Sequence, residues 1–358
     1  MKLLHTADLH MDSAFAALDE DKAALRRSEQ RSLLARMAEL ANDEKVDAVL
    51  MCGDLLDSAR SFAETDEALT EFCESVAAPV FIAPGNHDWY GPASAYARLK
   101  LPGNTHVFKS LEPERVELEA GNIWGAGWTS PTAPPLAGFR VTGGGINVMA
   151  LHAVVGTPDG RYLTMTEDAI GYTGLNYLAL GHVHAYTGPR RAGGTVWCYP
   201  GCPEGRGFDE TGEKGVVLAD VTEKGTELRF VPVCSRRYEI LSVEAGDDAL
   251  SAVLAAVPEG APRDVYRIIL TGETDVRPDA AALSAALGSR FFAVDIKDKT
   301  RPRVDIWAGT GEDTLRGAFL KRMRVRYDAA GDDAAREKTE RAVRIGLAAL
   351  ENRDWSTI

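Results

Sequence analysis

Three apolar runs near the start of the chain each break off at a short motif of acidic, amide or imidazole side chains, and this repeated break constrains the fold most. Lys2–Ala7 stops at Asp8-Leu9-His10, Val46–Cys52 at Gly53-Asp54, and Pro79–Ala83 at Gly85-Asn86-His87-Asp88. The runs read as buried strands. Asp21–Asn42 lies between the first two and reads as an amphipathic helix, with Leu25, Leu33, Leu34, Met37 and Leu40 on or near one face. Thr65–Ala77 is predicted as a second helix. The resulting β-α-β-α-β order predicts an α/β layer fold. Two later runs end in the same way, Ile146–Leu151 at His152 and Tyr177–Leu180 at Gly181-His182-Val183-His184.

Ligands of open α/β sheets bind at the C-terminal ends of the strands, so these motifs are expected to converge. Asp8, His10, Asp54, Asn86, His152, His182 and His184 make a mixed oxygen and nitrogen donor set. Such a set suits Mn²⁺, Fe²⁺ or Zn²⁺. Seven donors exceed the needs of one tetrahedral ion and match two ions sharing a carboxylate. Of the remaining histidines, His106 is expected in a loop. His5 is read either as a support for Asp8 or His10 or as a packed strand residue.

Beyond residue 100 the chain turns to short β-like runs: Val116–Leu118, Asn122–Trp128, Ile146–His152, Tyr177–Leu180, Thr195–Tyr199, Gly215–Val221 and Glu227–Val233. The Pro- and Gly-rich stretch Ser130–Gly145 reads as a mobile surface excursion. Residues 1–234 are taken as one domain. Residues 235–310 read as a small α+β module, with strands at Tyr238–Val243, Val265–Thr271 and Phe291–Lys297 and helices at Asp247–Ala256 and Asp279–Leu287. Residues 311–358 read as two helices split at Gly331.

The charge balance is 40 Lys+Arg against 53 Asp+Glu, net −13, which excludes a protein that coats nucleic acid by bulk charge. It leaves room for a nucleic-acid enzyme whose metal ions supply the local positive charge. No run approaches the roughly 18 apolar residues of a membrane span. The first residues enter a strand directly, so no secretion signal and a cytoplasmic location are expected. The five cysteines are expected to be reduced, and Cys198 and Cys202 lack the further ligands a structural zinc site needs.

The five motifs resemble those of the calcineurin-like metallophosphoesterase superfamily. Within it, His5-Thr6-Ala7-Asp8-Leu9-His10, Gly53-Asp54-Leu55-Leu56-Asp57 and Gly85-Asn86-His87-Asp88 are similar to SbcD-type DNA repair exonucleases. Tyr199-Pro200-Gly201-Cys202, Gly205-Arg206 and Glu210-Thr211-Gly212-Glu213-Lys214-Gly215 are most similar to the YhaO branch. The resemblance implies a four-layer αββα sandwich with a capping module and C-terminal helices. It also implies a two-metal site, most simply Mn²⁺. Asp8, His10, Asp54 and His184 would hold one ion, and Asp54, Asn86, His152 and His182 the other. His87 would be an acid or transition-state stabiliser oriented by Asp88. Leu9 and Asp57 depart from the nucleases, which often carry aromatic or histidine residues near these positions.

The implied function is hydrolysis of DNA phosphodiesters by a two-metal-activated hydroxide. Alternatives are a phosphatase or phosphodiesterase for small or protein-linked phosphates, and a non-catalytic scaffold. Arg236, Arg237, Arg301 and Arg303 are candidate phosphate contacts in the module. Basic residues Arg316, Lys321, Arg322, Arg324 and Arg326 accompany Leu315, Phe319 and Met323 in the next helix, and Val343, Leu347 and Leu350 follow in the last. By resemblance these helices would dock on an SbcC- or YhaN-like coiled-coil ATPase, and the chain would form a homodimer.

Overall fold

The computed structural model describes residues 1–58, 60–136, 138–157, 161–258, 261–303 and 305–351. The end of the expected C-terminal segment, 352–358, lies outside them. The chain divides into two compact units. One comprises Met1–Leu241, Val257–Ile268 and Ser284–Ile296; the other comprises Ser242–Ala256, Ile269–Leu283 and the chain from Lys297 on.

The first unit opens with β1 (Lys2–Thr6), α1 (Glu20–Asp43), β2 (Ala48–Met51), α2 (Ala63–Ser75), β3 (Val80–Ile82), α3 (Ala95–Arg98) and β4 (Thr105–Val107). It continues with β5 (Glu114–Leu118), β6 (Gly121–Ala126), β7 (Asn147–His152), β8 (Val154–Val155), β9 (Thr164–Met165) and α4 (Glu167–Tyr172). Then come β10 (Tyr177–Gly181), β11 (Arg190–Ala192), β12 (Thr195–Cys198), β13 (Gly215–Thr222) and β14 (Gly225–Pro232). One six-stranded sheet has the order β14-β13-β1-β2-β3-β4 and the other β11-β12-β10-β7-β6-β5. In each, four neighbouring strands run parallel: β1 to β4 in the first, and β12, β10, β7 and β6 in the second.

Strand alternation sorts the side chains into layers. Leu3, Leu50, Phe81 and Ala219 of the first sheet pack against Ile123, Val148, Ala150 and Val196 of the second. Their neighbours Leu4, Val49, Met51 and Ile82 point the other way, onto Leu33, Leu34, Met37, Leu69 and Phe72 of α1 and α2. On the far face of the second sheet, Met149, Leu151, Leu178 and Trp197 pack with Ile170 of α4. The fold is therefore the expected helix–sheet–sheet–helix sandwich. Burial on both faces explains why its central strands read as continuous apolar runs.

The outermost layer adds to the expected picture. The described residues of 130–145 form the expected exposed surface stretch, but it is tied down at three points. Ala133 N donates to Arg161 O, Leu136 N to Thr164 O and Val141 N to Thr173 O. Leu136, Phe139 and Val141 pack on the second sheet's outer core, completing a face that the short α4 covers only in part. Ala137 within it lies outside the described residues. His106 sits in β4 rather than a loop, its ring edge-on to Phe108.

Asp19 starts α1 by accepting from Lys22 N. On this helix the fully buried guanidinium of Arg26 meets Glu29 at 2.6 Å and Glu204 at 2.5 Å. Glu29 also pairs with Arg236 at 2.7 Å, while Glu204 accepts the backbone N–H groups of Ser235 and Arg236. This clamp ties the chain leaving β14 to α1. Burial alone would raise the Glu29 carboxyl, but Arg236 and Arg26 hold it below its ordinary value. A depressed folded value means stabilisation that is complete above the usual carboxyl range and lost as pH falls through the folded value. Glu29→Gln should therefore lower the unfolding free energy by about 2 kcal/mol at pH 7. In urea titrations the gap to wild type should narrow in acid; an equal gap at both pH values would contradict the clamp.

After β14 come β15 (Tyr238–Glu244), α5 (Ala249–Ala256), β16 (Val265–Thr271), β17 (Glu273–Thr274), α6 (Ala280–Leu287), β18 (Ala293–Asp298) and β19 (Arg301–Pro302). The last helices are α7 (Leu315–Asp328), capped by Thr314, and α8 (Asp333–Leu350), capped by Asp332. Leu320 of α7 and Val343 and Leu347 of α8 share a small core with Ile306.

Candidate metal centre

Parallel strands bring their C-terminal ends to one edge of each sheet, and all seven candidate donors leave from those ends. Asp8 and His10 follow β1, Asp54 follows β2, Asn86 follows β3, His152 ends β7, and His182 and His184 follow β10. The backbone there is bent into an unusual region. Asp8 (φ 55°), His10 (φ 43°), Asp54 (φ 52°) and His182 (φ 111°) are non-glycine residues at positive φ. Such strain persists only where the surroundings enforce it, and it concentrates at functional sites.

Close approach demands glycine at two of the motifs. A Cβ on Gly85 would stand 2.2 Å from the Asp54 carboxylate, and one on Gly181 would stand 1.7 Å from the backbone oxygen of Cys52. The second clash is with main chain and cannot be relieved by a side-chain turn. Gly181→Ala should destabilise the chain by about 3 kcal/mol, at the upper end of overpacking. Thermal melting should show it, and an unchanged midpoint would mean that β10 and the end of β2 are not packed this tightly.

The hydrogen bonds fix which imidazole nitrogens face the cluster bare. His10 Nδ1–H donates to Asp57 Oδ1 at 3.1 Å, and His184 Nδ1–H donates to Glu210 Oε1 at 2.7 Å. Arg206 Nη2 lies 3.1 Å from the same His184 nitrogen, but the short contact to a carboxylate oxygen requires the proton on Nδ1. Both Nε2 atoms therefore carry lone pairs, and they face each other at 3.2 Å. His152 Nδ1–H donates to Cys52 O at 2.9 Å, which turns its Nε2 toward Asn86 Oδ1 (3.1 Å), His182 Nδ1 (3.3 Å) and Asp54 Oδ2 (3.3 Å). Lone pairs converging at these distances call for a positive charge between them. This donor chemistry fits two divalent cations.

The charges agree. Asp8 is fully buried, and burial raises its carboxyl to about 6, while His152 and His184 pull the other way. Burial works against the Asp54 carboxylate too, but His152 and His10 hold it well below the usual range. Burial opposes a charge on His152, yet Asp54 and Asp8 outweigh it and raise the imidazole to about 9. Burial lowers His10 and His182 to about 4, which leaves them bare for coordination.

Ligand atoms of Asp8, His10 and His184 lie within 4.8 Å of one another, as do those of Asp8, Asp54 and His152. His10, Asp54 and His87 form a third such group. The expected partner of His87 needs correction. Its Nδ1–H donates to the backbone oxygen of Asp57 at 3.2 Å, and Asp88 does not orient the ring. The buried Asp88 carboxylate instead accepts from the N–H groups of Gly85, Leu55, Asp54 and Leu56 and from Tyr96 Oη. It is engaged in holding the second and third motifs together. His5 is a packed strand residue, bonded to Tyr177 Oη and Leu180 O rather than to Asp8 or His10.

Asp57, Arg206 and Glu210 were not singled out from the sequence as site residues, although they lie inside the motifs that carry the family resemblance. Burial opposes the Glu210 carboxylate, but His184 and Arg206 hold it well below the usual range. Tyr162 also reaches the site, its ring 4.7 Å from that of His182.

A cluster of this composition, at the strand ends of a two-sheet sandwich, defines a metallophosphoesterase. The chain belongs to the calcineurin-like phosphoesterase family, whose pattern matches residues 1–186. It is 27% identical over 268 residues to the uncharacterized metallophosphoesterase YhaO of Bacillus subtilis (strain 168), covering 70% of this chain and 64% of that one. It is 28% identical over 134 residues to the SbcD component of nuclease SbcCD from the same organism, covering 36% and 33%. To the DNA double-strand break repair protein Mre11 of Methanopyrus kandleri it is 26% identical over 291 residues, covering 68% and 59%. The matches therefore span less than two thirds of each relative's length.

Proposed function

We propose that the chain is a metal-dependent phosphodiesterase that hydrolyses DNA, with Mn²⁺ as the working ion and DNA repair in the cytoplasm as its setting. The facing lone pairs of His10 and His184 carry the metal half of this reading. The nuclease relatives support the substrate half. Asp8, His10, Asp54 and His184 would hold one ion and Asp54, Asn86, His152 and His182 the other, with Asp54 shared. When bound, the pair supplies Lewis-acid charge to the phosphate and an acidified water at neutral pH.

The chain's own residues do the rest. The peptide N–H of His87 holds Asp54 Oδ1 at 2.9 Å, fixing the shared carboxylate. With Nδ1–H tied to Asp57 O, the exposed His87 imidazole keeps Nε2 for the proton that the leaving oxygen requires. Asp88 keeps this loop against the Asp54 loop through its four backbone hydrogen bonds.

Residues 235–310 are proposed as the capping module that guides DNA, and 311–358 as the ATPase-docking segment. Arg236, Arg237 and Arg303 contribute less to the former than expected, because their guanidiniums are engaged by Glu29, Asp264 and Asp247 with Asp275. Phe319 and Met323 pack inward on the small core of α7 and α8, so docking on an SbcC- or YhaN-like coiled coil would use exposed Leu315, Val325, Arg322 and Arg326. A homodimer remains part of the proposal by resemblance.

The test is a Mn²⁺-dependent assay on single- and double-stranded DNA beside a generic aryl phosphate ester. Cleavage of DNA at the higher kcat/KM supports the reading. Turnover of the small ester alone would make the chain a phosphatase of the same family. Metal uptake without hydrolysis of any substrate would leave a scaffold.

A further inference from the structure

Two carboxylates stand behind the two imidazoles that face each other in the metal centre, and one arginine touches both. Asp57 Oδ1 accepts from His10, and Glu210 Oε1 accepts from His184. Arg206 Nη2 lies 2.6 Å from Glu210 Oε1, and its Nη1 lies 3.5 Å from Asp57 Oδ1 and 3.4 Å from Ser13 Oγ. The Arg206 backbone N–H adds a bond of 2.8 Å to Glu210 Oε2. Arg206 and Glu210 are largely buried, at 17% and 4% side-chain exposure, so neither is a solvated surface charge.

We propose that Asp57, Arg206 and Glu210 form one positioning bracket. It fixes His10 and His184 in the Nδ1–H tautomer and thereby sets how tightly the centre holds the cation between them. This rests on the reading of the cluster as a metal centre. A carboxylate behind an imidazole locks its tautomer and orientation and makes the far nitrogen a stronger donor. One such partner orients one ligand. Here the guanidinium links two, which come from distant parts of the chain: His10 with Asp57 after β1 and β2, and His184 with Glu210 after β10 and β12. The rigid fork of arginine matches this task, whereas the point charge of lysine does not. Arg206 also places a positive charge near the cation, which by itself would weaken binding. Its presence there is explained by geometry, not by attraction for the metal.

That opposition of charge and geometry gives a sharp test on the full chain. Mn²⁺ affinity is measured by calorimetric titration and by the electron paramagnetic resonance signal of free Mn²⁺, alongside melting of the metal-free protein. Glu210→Gln, Asp57→Asn and Arg206→Lys should each weaken the first Mn²⁺ by about 10–100-fold. Arg206→Lys combined with Glu210→Gln should lose little beyond Glu210→Gln, because the residues act as a unit. Equal affinity in all variants, or tighter binding in Arg206→Ala, would overturn the bracket. Unchanged affinity with a raised KM would also overturn it and make Arg206 a substrate contact. If Glu210→Gln fails to fold, the more exposed Asp57→Asn carries the decision. Wild-type protein that binds Mn²⁺ but leaves DNA intact would refute the DNA reading, while the affinities still decide the bracket.

Discussion

Asp54→Asn is expected to abolish tight binding of divalent metal and with it phosphoester hydrolysis. The substitution keeps the shape of the side chain. Its amide oxygen can still accept the His87 N–H, and the space left by Gly85 still accommodates it. What disappears is the negative charge shared between His10 and His152, 3.8 Å and 3.3 Å from Asp54 Oδ2. Removal of a supporting partner costs about 10–100-fold in metal affinity, so loss of the shared carboxylate should exceed about 100-fold. Metal-free melting should remain cooperative. Retention of Mn²⁺ affinity within about tenfold of wild type would mean that Asp54 is not shared between ions.

His87→Ala should give the opposite pattern, with Mn²⁺ retained and turnover reduced by about 10²–10⁴-fold, the usual contribution of a general acid. The contrast matters because His87 also falls within ligand distance of His10 and Asp54. Metal loss in this variant would move His87 into the coordination shell and require another proton source. The variant is informative because the His87 side chain is exposed and only its backbone N–H holds Asp54, so the centre should survive truncation.

Much of this arrangement could be read from residue order. Strands buried on both faces announce themselves as short apolar runs, and each run's end marks where its motif must stand. Lys2–Ala7 and Val46–Cys52 accordingly lie within a residue or two of β1 and β2. Short elements were harder. β11 is three residues long and α4 six, too few to show a period, and β4 holds a histidine that resembles a loop residue. The role implied for Asp88 also differs from its place in the fold. The resemblance set it behind His87, but a buried carboxylate takes whatever N–H groups surround it, and here those belong to two loops. The pairing of His184 with Glu210 across a turn-rich segment left no periodic trace. Only the fold brings Arg206 between Glu210 and Asp57.

Side chains from five strand ends are expected to surround two cations. Crystals grown with Mn²⁺ and measured at its absorption edge would locate them by anomalous scattering. Two peaks about 3.5–4 Å apart are expected. One should lie among Asp8, His10, Asp54 and His184, and the other among Asp54, Asn86, His152 and His182. No peak at the cluster, or a single peak bound through His87, would rule out a two-ion centre held by these residues.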